Sequence, residues 1–261
     1  MIVVKFGGHA MKDEHGSFVT AISDALDVGE TVVVVHGGGP QIDASLRAAG
    51  ISSEFIGGFR FTSPQAFAIV ERVLTQEVGP GIAQTLINSG INAQAVSGRA
   101  LPTFLSRRKT ALVDGSPADL GQVGDVLSVN TSQVMDLIAR KILPVISPIS
   151  ADLDSKDGLN VNADLAAAAL AGALNASVLI VMTDVAGIYR NWPDQSSLID
   201  AICAEELASI KTTYSQGMAP KVQAALDAIA LGAQAVRIID GTDPKSFAAA
   251  LAGTGGTLVV A

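Results

Sequence analysis

The chain has 261 residues, of which 49% are hydrophobic and 16% are charged, and this composition excludes a disordered protein. Its 17 Lys and Arg residues against 25 Asp and Glu residues give a net charge of −8. An acidic chain without a long basic run lacks the electrostatic attraction that proteins use to bind nucleic acid or anionic membranes. We therefore predict neither partner. Any phosphate group must be bound by a few placed cations and backbone N–H groups.

The cellular compartment is indicated by what the sequence lacks. The single cysteine, Cys203, cannot form an internal disulfide, which is typical of a reducing compartment. No charged region followed by a long apolar core comes after Met1, so we predict no signal peptide and a cytoplasmic protein. The uncharged stretch 165–182 is long enough to suggest a membrane span. Its Ala-rich first part and β-branched second part favour instead a buried helix followed by a central strand.

Predicted strands and helices alternate along the chain. Short apolar runs without in/out alternation are typical of strands buried on both faces, and they occur at 2–6, 31–35, 143–146, 178–182, 235–239 and 257–260. Helical patterns occur at 17–28, 41–49, 63–89, 132–141, 164–174, 204–211, 220–231 and 244–251. This alternation predicts an α/β sandwich around a mainly parallel sheet. The polar region 97–125 is predicted to form a hairpin, and 152–158 is the best candidate for a boundary between two lobes.

Two glycine-rich loops follow predicted strands. Lys5 lies near the end of the first strand and precedes Gly7 and Gly8, and the second strand ends at His36 before 37–40, Gly-Gly-Gly-Pro. Ligands of open α/β sheets bind at the carboxyl ends of the strands, where glycines let backbone N–H groups approach an anion. The alternative is that these glycines only form tight turns. Two such loops together with an embedded lysine favour an anion site, and His36 is better explained as a packed residue than as a base.

Further polar residues stand where strands end or helices begin. Lys5 lies inside an apolar strand, where its ammonium group must be paired with an opposite charge unless it reaches solvent from a sheet edge. Lys221 opens a helix, where its charge opposes the helix dipole, so we predict either a specific purpose or an ordinary exposed lysine. Asp164 caps a helix after two asparagines, Asn160 and Asn162, whose amides are predicted to point into one cleft.

Two more candidates complete this set. Asp184 follows the predicted strand 178–182, and Arg60 offers the two-pronged guanidinium that carboxylates prefer, although a plain surface arginine is the alternative.

Several common motifs are missing from the sequence. They are the phosphate loop Gly-x-x-x-x-Gly-Lys-Ser/Thr, the dinucleotide fingerprint Gly-x-Gly-x-x-Gly, the hydrolase motif Gly-x-Ser-x-Gly and Cys/His clusters with metal spacing. We therefore predict no dedicated metal ligands.

Six motifs in order resemble the amino acid kinase family, and the match runs from residue 2 to residue 260. The motifs are Lys-x-Gly-Gly, His-Gly-Gly-Gly-Pro-x-Ile-Asp, Gly-x-Arg-x-Thr, Asn-x-Asn-Ala-Asp, Thr-Asp-Val-x-Gly and Gly-Met-x-x-Lys. The resemblance implies a single domain, 1–261, folded as a three-layer αβα sandwich with about eight strands. It also implies an N-lobe, 1–157, for the acyl amino acid and dimerisation, and a C-lobe, 158–261, for ATP.

The resemblance further implies a role for each matched residue. Lys5 and Lys221 would stabilise the transferring phosphoryl group, and Asp164 would hold the two lysines. Gly8, Gly38 and Gly39 would supply backbone donors, Arg60 would bind the substrate α-carboxylate, and Asn160 would bind the substrate. The nucleotide would be bordered by Asp184, Val185, Gly187, Ile188, Tyr189, Thr213, Tyr214 and Ser215. ATP would carry its own Mg²⁺.

Within the family, the chain is similar to members that phosphorylate the side-chain carboxylate of N-acetyl-L-glutamate. A carboxylate with an ordinary pKa of about 4.3 is already ionised at neutral pH, so no catalytic base is required. Two segments depart from the family pattern on the acyl-substrate side: 61–63 reads Phe-Thr-Ser for the usual Val-Thr-Asp, and 96–100 lacks the common Lys-Asp-Gly ending. The identity of the acyl substrate is therefore less tightly predicted than phosphoryl transfer.

Alternatives stay open at this point. A related kinase acts on aminoadipate or glutamate bound to an acidic carrier protein, and the run 107–109, Arg-Arg-Lys, is either a patch for such a carrier or a solvated hairpin. A ligand-binding regulator that lost catalysis is a third hypothesis. The sequence starts at the first strand, without the N-terminal helix that links dimers into hexamers in arginine-inhibited members. We therefore expect a homodimer without strong arginine feedback.

Overall fold

The central element is an eight-stranded sheet in a computed structural model that describes residues 1–7, 16–100, 102–214 and 218–261. The strands are β1 Ile2–Phe6, β2 Val32–His36, β3 Phe55–Ile56, β4 Phe59–Arg60, β5 Ala93–Ser97, β6 Phe104–Arg108, β7 Gly124–Val129, β8 Leu143–Ser147, β9 Ile149–Asp152, β10 Gly158–Asn160, β11 Val178–Thr183, β12 Ala201–Cys203, β13 Ala235–Asp240 and β14 Thr257–Val260. The large sheet has the order β12-β14-β13-β11-β1-β2-β8-β5. All its neighbours pair in parallel except β13 and β14.

Helices connect these strands. They are α1 Ser17–Asp27, α2 Gly39–Ala48, α3 Pro64–Arg72, α4 Gly79–Asn88, α5 Ser132–Ala139, α6 Ala163–Ala173, α7 Ala204–Ile210, α8 Ala219–Ala230 and α9 Ser246–Leu251. A π-helical turn, Val73–Val78, joins α3 to α4. Two smaller sheets lie outside the central one: β10-β9-β6-β7 and the pair β3-β4. The hairpin predicted over 97–125 corresponds to β6 and β7, with β7 extending to Val129.

Helices pack on both faces of the central sheet because its strands are apolar on both sides. Val3 and Val33 lie in one core cluster with the Ala-rich helices α6 and α8, whereas Val4 and Val34 lie in another with α1, α4 and α9. Successive side chains of a strand point to opposite faces, so each strand contributes to both clusters. The predicted three-layer αβα sandwich with a mainly parallel sheet of eight strands is confirmed.

Some elements differ from the sequence prediction. The two outer strands β5 and β12 were missed, since the first alternates polar and apolar residues and the second has only three residues. The helix predicted over 63–89 is divided into α3, the π-helical turn and α4. The stretch 165–182 is divided between α6 and β11, and no helix of the described residues has the length and apolarity to cross a membrane. The lobe boundary proposed after residue 157 falls in the turn between β9 and β10 and stays a prediction.

Candidate active site

The carboxyl ends of three neighbouring parallel strands, β2, β1 and β11, place candidate residues at one edge of the sheet. Lys5 is in register with Val35 of β2 and Val181 of β11. The loop after β2 and the loop after β11 therefore flank the end of β1. Two helices begin at this edge, α6 with Asp164 in its first turn and α8 with Lys221 in its first turn. The topology brings together residues that are up to 216 positions apart in the sequence.

The two lysines converge on a single carboxylate. Lys5 Nζ lies 2.9 Å from Asp164 Oδ1, and Lys221 Nζ lies 3.1 Å from Asp164 Oδ2. The side chain of Lys5 is 9% exposed, that of Asp164 is 6% exposed and that of Lys221 is 18% exposed. Lys5 Nζ also lies 3.4 Å from the carbonyl oxygen of Met182, at the end of β11. The predicted convergence of the two ammonium groups is present in the structure.

The charges of this cluster do not cancel. Burial acts to raise the pKa of Asp164, but the two lysines outweigh it and lower the pKa to about 2. Asp164 in turn raises the pKa of Lys221, against the effect of burial. Asp164 and Lys221 are therefore ionised at neutral pH, and with Lys5 the cluster has two cationic side chains for one carboxylate. A partly buried cluster with one uncompensated positive charge is suited to bind an anion.

Asp164 is held in place by the start of α6. Asn162 is the N-cap residue, and its side-chain oxygen accepts hydrogen bonds from the backbone N–H groups of Asp164 (2.8 Å) and Leu165 (3.3 Å). A carboxylate in the first turn is also stabilised by the helix dipole. Both asparagines line one cavity, as the sequence predicts, but the side-chain oxygen of Asn162 is used by the helix and only that of Asn160 is left for a ligand.

The glycine loop after β2 is positioned by backbone contacts and by His36. Gly37 N donates to the carbonyl oxygen of Phe6 (2.7 Å), which ties the loop to the end of β1. His36 Nδ1 lies 2.7 Å from the carbonyl oxygen of Gly37, so this nitrogen carries the proton and donates it. Because a trans peptide directs C=O and N–H in opposite directions, the N–H of Gly38 is turned away from the imidazole.

A cavity of about 180 Å³ lies beside the lysine cluster. Its polar lining includes the glycine loop, Arg60 and Asn160, and its apolar lining includes Ile42, Phe59 and Leu74. The Arg60 guanidinium donates to Asp43 and Ser53 and stacks at 4.6 Å over the ring of Phe55. Partial burial raises the pKa of Asp43, but the hydrogen bonds from Arg60 and Ser53 lower it below its usual value. Arg60 is thus a buried, anchored cation beside the cavity.

The predicted nucleotide residues lie in two places. Asp184 follows β11, accepts a hydrogen bond from Thr183 Oγ1 (3.0 Å) and is close enough to Lys221 to contribute to the raised pKa of that lysine. Ile188 is buried in the core, its N–H donates to Thr257 Oγ1 (2.8 Å) and its carbonyl oxygen accepts from Ile199 N (2.8 Å), so both of its backbone polar groups are already paired. Tyr189 contacts the ring of Trp192 edge-on. Val185 and Gly187 lie in the same loop after β11.

The second segment precedes α8. Thr213 ends a short 3₁₀ helix, and Tyr214 follows it with a buried hydroxyl that has no partner among the described residues. Gly8 and Ser215 lie outside the described residues.

Sequence reasoning missed the anchors of Arg60. Asp43 stands inside the recognised His-Gly-Gly-Gly-Pro-x-Ile-Asp motif and could have been found there, but nothing in the sequence around Ser53 distinguishes it.

His36 should make stability depend on pH. Burial lowers its pKa from 6.5 to about 4, so the unfolded chain binds a proton between these values that the folded chain does not. The free energy of unfolding should therefore fall by about 3 kcal/mol as the pH drops from about 7 to about 4. Urea unfolding across this range measures the loss. In His36→Asn, which keeps a donor for Gly37, the dependence should be flatter, and an unchanged dependence would contradict the assignment.

Comparison with known proteins identifies the family of the chain. Residues 1–240 match the sequence model of the amino acid kinase family, and the chain belongs to this family. It is 44% identical over 248 residues to the acetylglutamate kinase of Nocardia farcinica, with 94% of this chain and 82% of that protein covered.

Solved structures share the fold. A Streptococcus mutans protein, smu.665, matches with a TM-score of 0.82 and 27% identity over 99% of this chain and 98% of its own. A carbamate kinase from Giardia lamblia bound to AMP-PNP matches with a TM-score of 0.69 and 23% identity, covering 99% of this chain and 97% of its own. At that identity the second likeness shows the fold alone.

Proposed function

We propose that the chain transfers the γ-phosphoryl group of ATP to the side-chain carboxylate of N-acetyl-L-glutamate, forming N-acetyl-L-glutamyl 5-phosphate and ADP in the second step of arginine biosynthesis. The observation that carries the proposal is the pair of ammonium groups on Asp164, next to a cavity lined by Arg60 and Asn160. The 44% identity to an acetylglutamate kinase over nearly the whole chain supports the choice of substrate.

The site suits a reaction between two anions. A carboxylate oxygen attacks the γ-phosphorus while the oxygen that bridges the β- and γ-phosphates leaves with ADP. Negative charge on the transferring group is stabilised by Lys5, Lys221 and the backbone N–H groups of the glycine loop. The net positive charge of the lysine cluster offsets the repulsion between substrate and nucleotide. Mg²⁺ would be carried by the nucleotide phosphates and would neutralise part of their charge.

No proton has to be removed from the substrate. The attacking carboxylate is ionised at neutral pH, so there is no proton for a general base to remove. His36, the titratable residue nearest the glycine loop among those described, is neutral because its pKa is about 4, and its Nδ1 proton is used by Gly37. Its role is to orient the loop.

The two substrates would enter from different parts of the chain. We assign the acyl amino acid to residues 1–157, which include Gly38, Gly39 and Arg60, together with Asn160 from β10. We assign ATP to residues 158–261, which include the loop after β11 and the segment before α8. We also propose a homodimer in the cytoplasm, for which the exposed free thiol of Cys203 suits a reducing compartment.

The basic run 107–109 does not favour a carrier-bound substrate. Arg107 lies 3.2 Å from Asp154, and Arg108 lies 3.4 Å from Asp157. Lys109 lies 2.8 Å from Asp125 and packs at 4.8 Å from the ring of Phe59. Each cation already has an acidic partner on the same surface. The run therefore lacks the unpaired charge that would attract an acidic carrier protein.

The proposal is tested by trapping the acyl phosphate with hydroxylamine. N-acetyl-L-glutamate, L-glutamate, L-aspartate and L-2-aminoadipate are incubated with ATP, Mg²⁺ and the protein, and the hydroxamates are measured. We expect N-acetyl-L-glutamate to react at least about tenfold faster than the others. Equal rates, faster reaction of aminoadipate, or no ATP-dependent hydroxamate would contradict the proposed substrate or the proposed activity. A reaction without ATP is the control.

A further inference from the structure

A buried hydroxyl stands behind the side chain of Asn160. Thr62 follows β4 and is fully buried. Its Oγ1 lies 2.8 Å from the carbonyl oxygen of Arg60 and 3.1 Å from Asn160 Nδ2. The three groups form a short chain of hydrogen bonds on the wall of the cavity that Arg60 and Asn160 line.

The number of protons decides the direction of each bond. A threonine hydroxyl has one proton, and a backbone carbonyl oxygen only accepts. The hydroxyl of Thr62 donates to the Arg60 carbonyl, which leaves its lone pairs to accept a proton from Asn160. If the amide of Asn160 were reversed, the one proton of Thr62 could serve only one of two oxygens, Asn160 Oδ1 or the Arg60 carbonyl, and one hydrogen bond would be lost. Thr62 thus disfavours the reversed amide.

Thr62 is itself fixed by the backbone on both sides. Its N–H donates to the carbonyl oxygen of Leu120 (3.0 Å), and its carbonyl oxygen accepts from Gln122 N (2.7 Å). Thr62 also forms an isolated parallel bridge with Gly121, and a Cβ at that glycine would lie 2.3 Å from the Thr62 carbonyl oxygen. The backbone that carries the hydroxyl is therefore fixed relative to the strands around it.

We infer that Thr62 is a positioning residue that locks the Asn160 amide with Oδ1 toward the cavity, so that the site selects an acyl substrate with an N–H donor at this point. Within the described residues, Oδ1 has no hydrogen-bond partner, whereas Nδ2 is paired with Thr62. The inference rests on the proposed function, in which the donor is the acetamido N–H of N-acetyl-L-glutamate. An analogue that lacks this proton would leave Oδ1 unpaired.

The test compares N-acetyl-L-glutamate with 2-acetoxyglutarate, in which an ester oxygen replaces the N–H. We expect wild-type protein to prefer the amide by about 100-fold in kcat/KM. In Thr62→Val the amide of Asn160 is free to turn, so the preference should fall at least about tenfold. Thr62→Ser keeps the hydroxyl and should retain the wild-type preference. An unchanged preference in folded Thr62→Val would overturn the inference.

Thr257 provides a matched control. It is also fully buried, donates to the carbonyl oxygen of Ile199 (2.6 Å) and accepts from Ile188 N (2.8 Å). Thr257→Val removes the same kind of hydroxyl away from Asn160. It should leave the preference for the amide unchanged, whatever it does to the absolute rate. A loss of preference equal to that of Thr62→Val would show a general structural effect and contradict a role of Thr62 through Asn160.

A spectroscopic measurement separates this inference from the proposed function. One side-chain amide proton of Asn160 should be protected from solvent exchange in wild-type protein, as seen by ¹⁵N NMR without any substrate, and Thr62→Val should lose that protection. Two rapidly exchanging protons in wild-type protein would overturn the inference even if Thr62→Val does not fold. Wild-type protein with the protected proton but without kinase activity would instead contradict the proposed function alone.

Discussion

Lys221→Ala should lower kcat by about 100-fold and change the KM for N-acetyl-L-glutamate little. The ammonium group of Lys221 lies on Asp164 at the edge of the sheet where the phosphoryl group would pass. Loss of one such contact costs on the order of 3 kcal/mol of transition-state stabilisation, and 1.4 kcal/mol corresponds to a factor of about ten in rate. Because the charge on the transferring group develops in the transition state, kcat and kcat/KM should fall together. Steady-state kinetics measures both.

The control for this variant is Arg140→Ala. The Arg140 side chain is 60% exposed and lies between α5 and the start of β8, at the opposite edge of the sheet from the ends of β1 and β11. It should retain normal turnover. Lys221→Ala should remain folded, because Asp164 keeps its contact with Lys5, and thermal unfolding of the variant checks this. Near-normal turnover of folded Lys221→Ala would remove the role that we assign to the lysine pair.

The sequence predicts the sheet well because its strands have a strong and simple signal. A strand buried on both faces must be apolar throughout, and all six predicted runs lie in the central sheet. The ends of parallel strands meet at one edge, so the sequence alone predicts that Lys5 and the loop after His36 lie together. Asp164 and Lys221 are identified as site residues by the order of the family motifs, which gives no information about distances in the fold.

Contacts that depend on tertiary packing could not be predicted. The π-helical turn places Leu74 and Val78 against Gly38, where a Cβ would lie 2.6 Å from the Leu74 side chain. A glycine at position 38 is therefore required by the close approach of the turn as well as by any anion. The helical pattern over 63–89 contains no signal for that turn, whose form is decided by the surfaces that it contacts.

The directions of hydrogen bonds were also beyond the sequence. The asparagine pair before α6 suggested two equivalent amides, but Asn162 caps the helix and Asn160 is oriented by Thr62. Thr62 is 98 positions away from Asn160 in the chain. Only the fold shows that a hydroxyl with one available proton stands behind one of the two amides. The chemistry that a polar residue offers to a ligand is therefore decided by its neighbours.

Asp164→Asn should destabilise the fold by about 3 to 5 kcal/mol at neutral pH. The change is nearly isosteric, but it removes the carboxylate between two lysines that are largely buried, and an uncompensated buried charge is costly. Urea unfolding gives the free energy. Asp136→Asn is the matched control, since Asp136 forms an exposed ion pair with Arg140 and its loss should cost no more than about 1 kcal/mol.

The pH dependence of the same variant identifies the cause. The pKa of Asp164 is lowered from 3.8 to about 2 in the folded chain, so the stability that its charge contributes is present above about pH 4 and is lost as the pH falls toward 2. The difference in unfolding free energy between wild-type protein and Asp164→Asn should therefore be constant from pH 7 to about pH 5 and should shrink below pH 4. A difference that stays constant down to pH 3 would mean that the asparagine disturbs packing, and that the two lysines do not depend on the charge of Asp164.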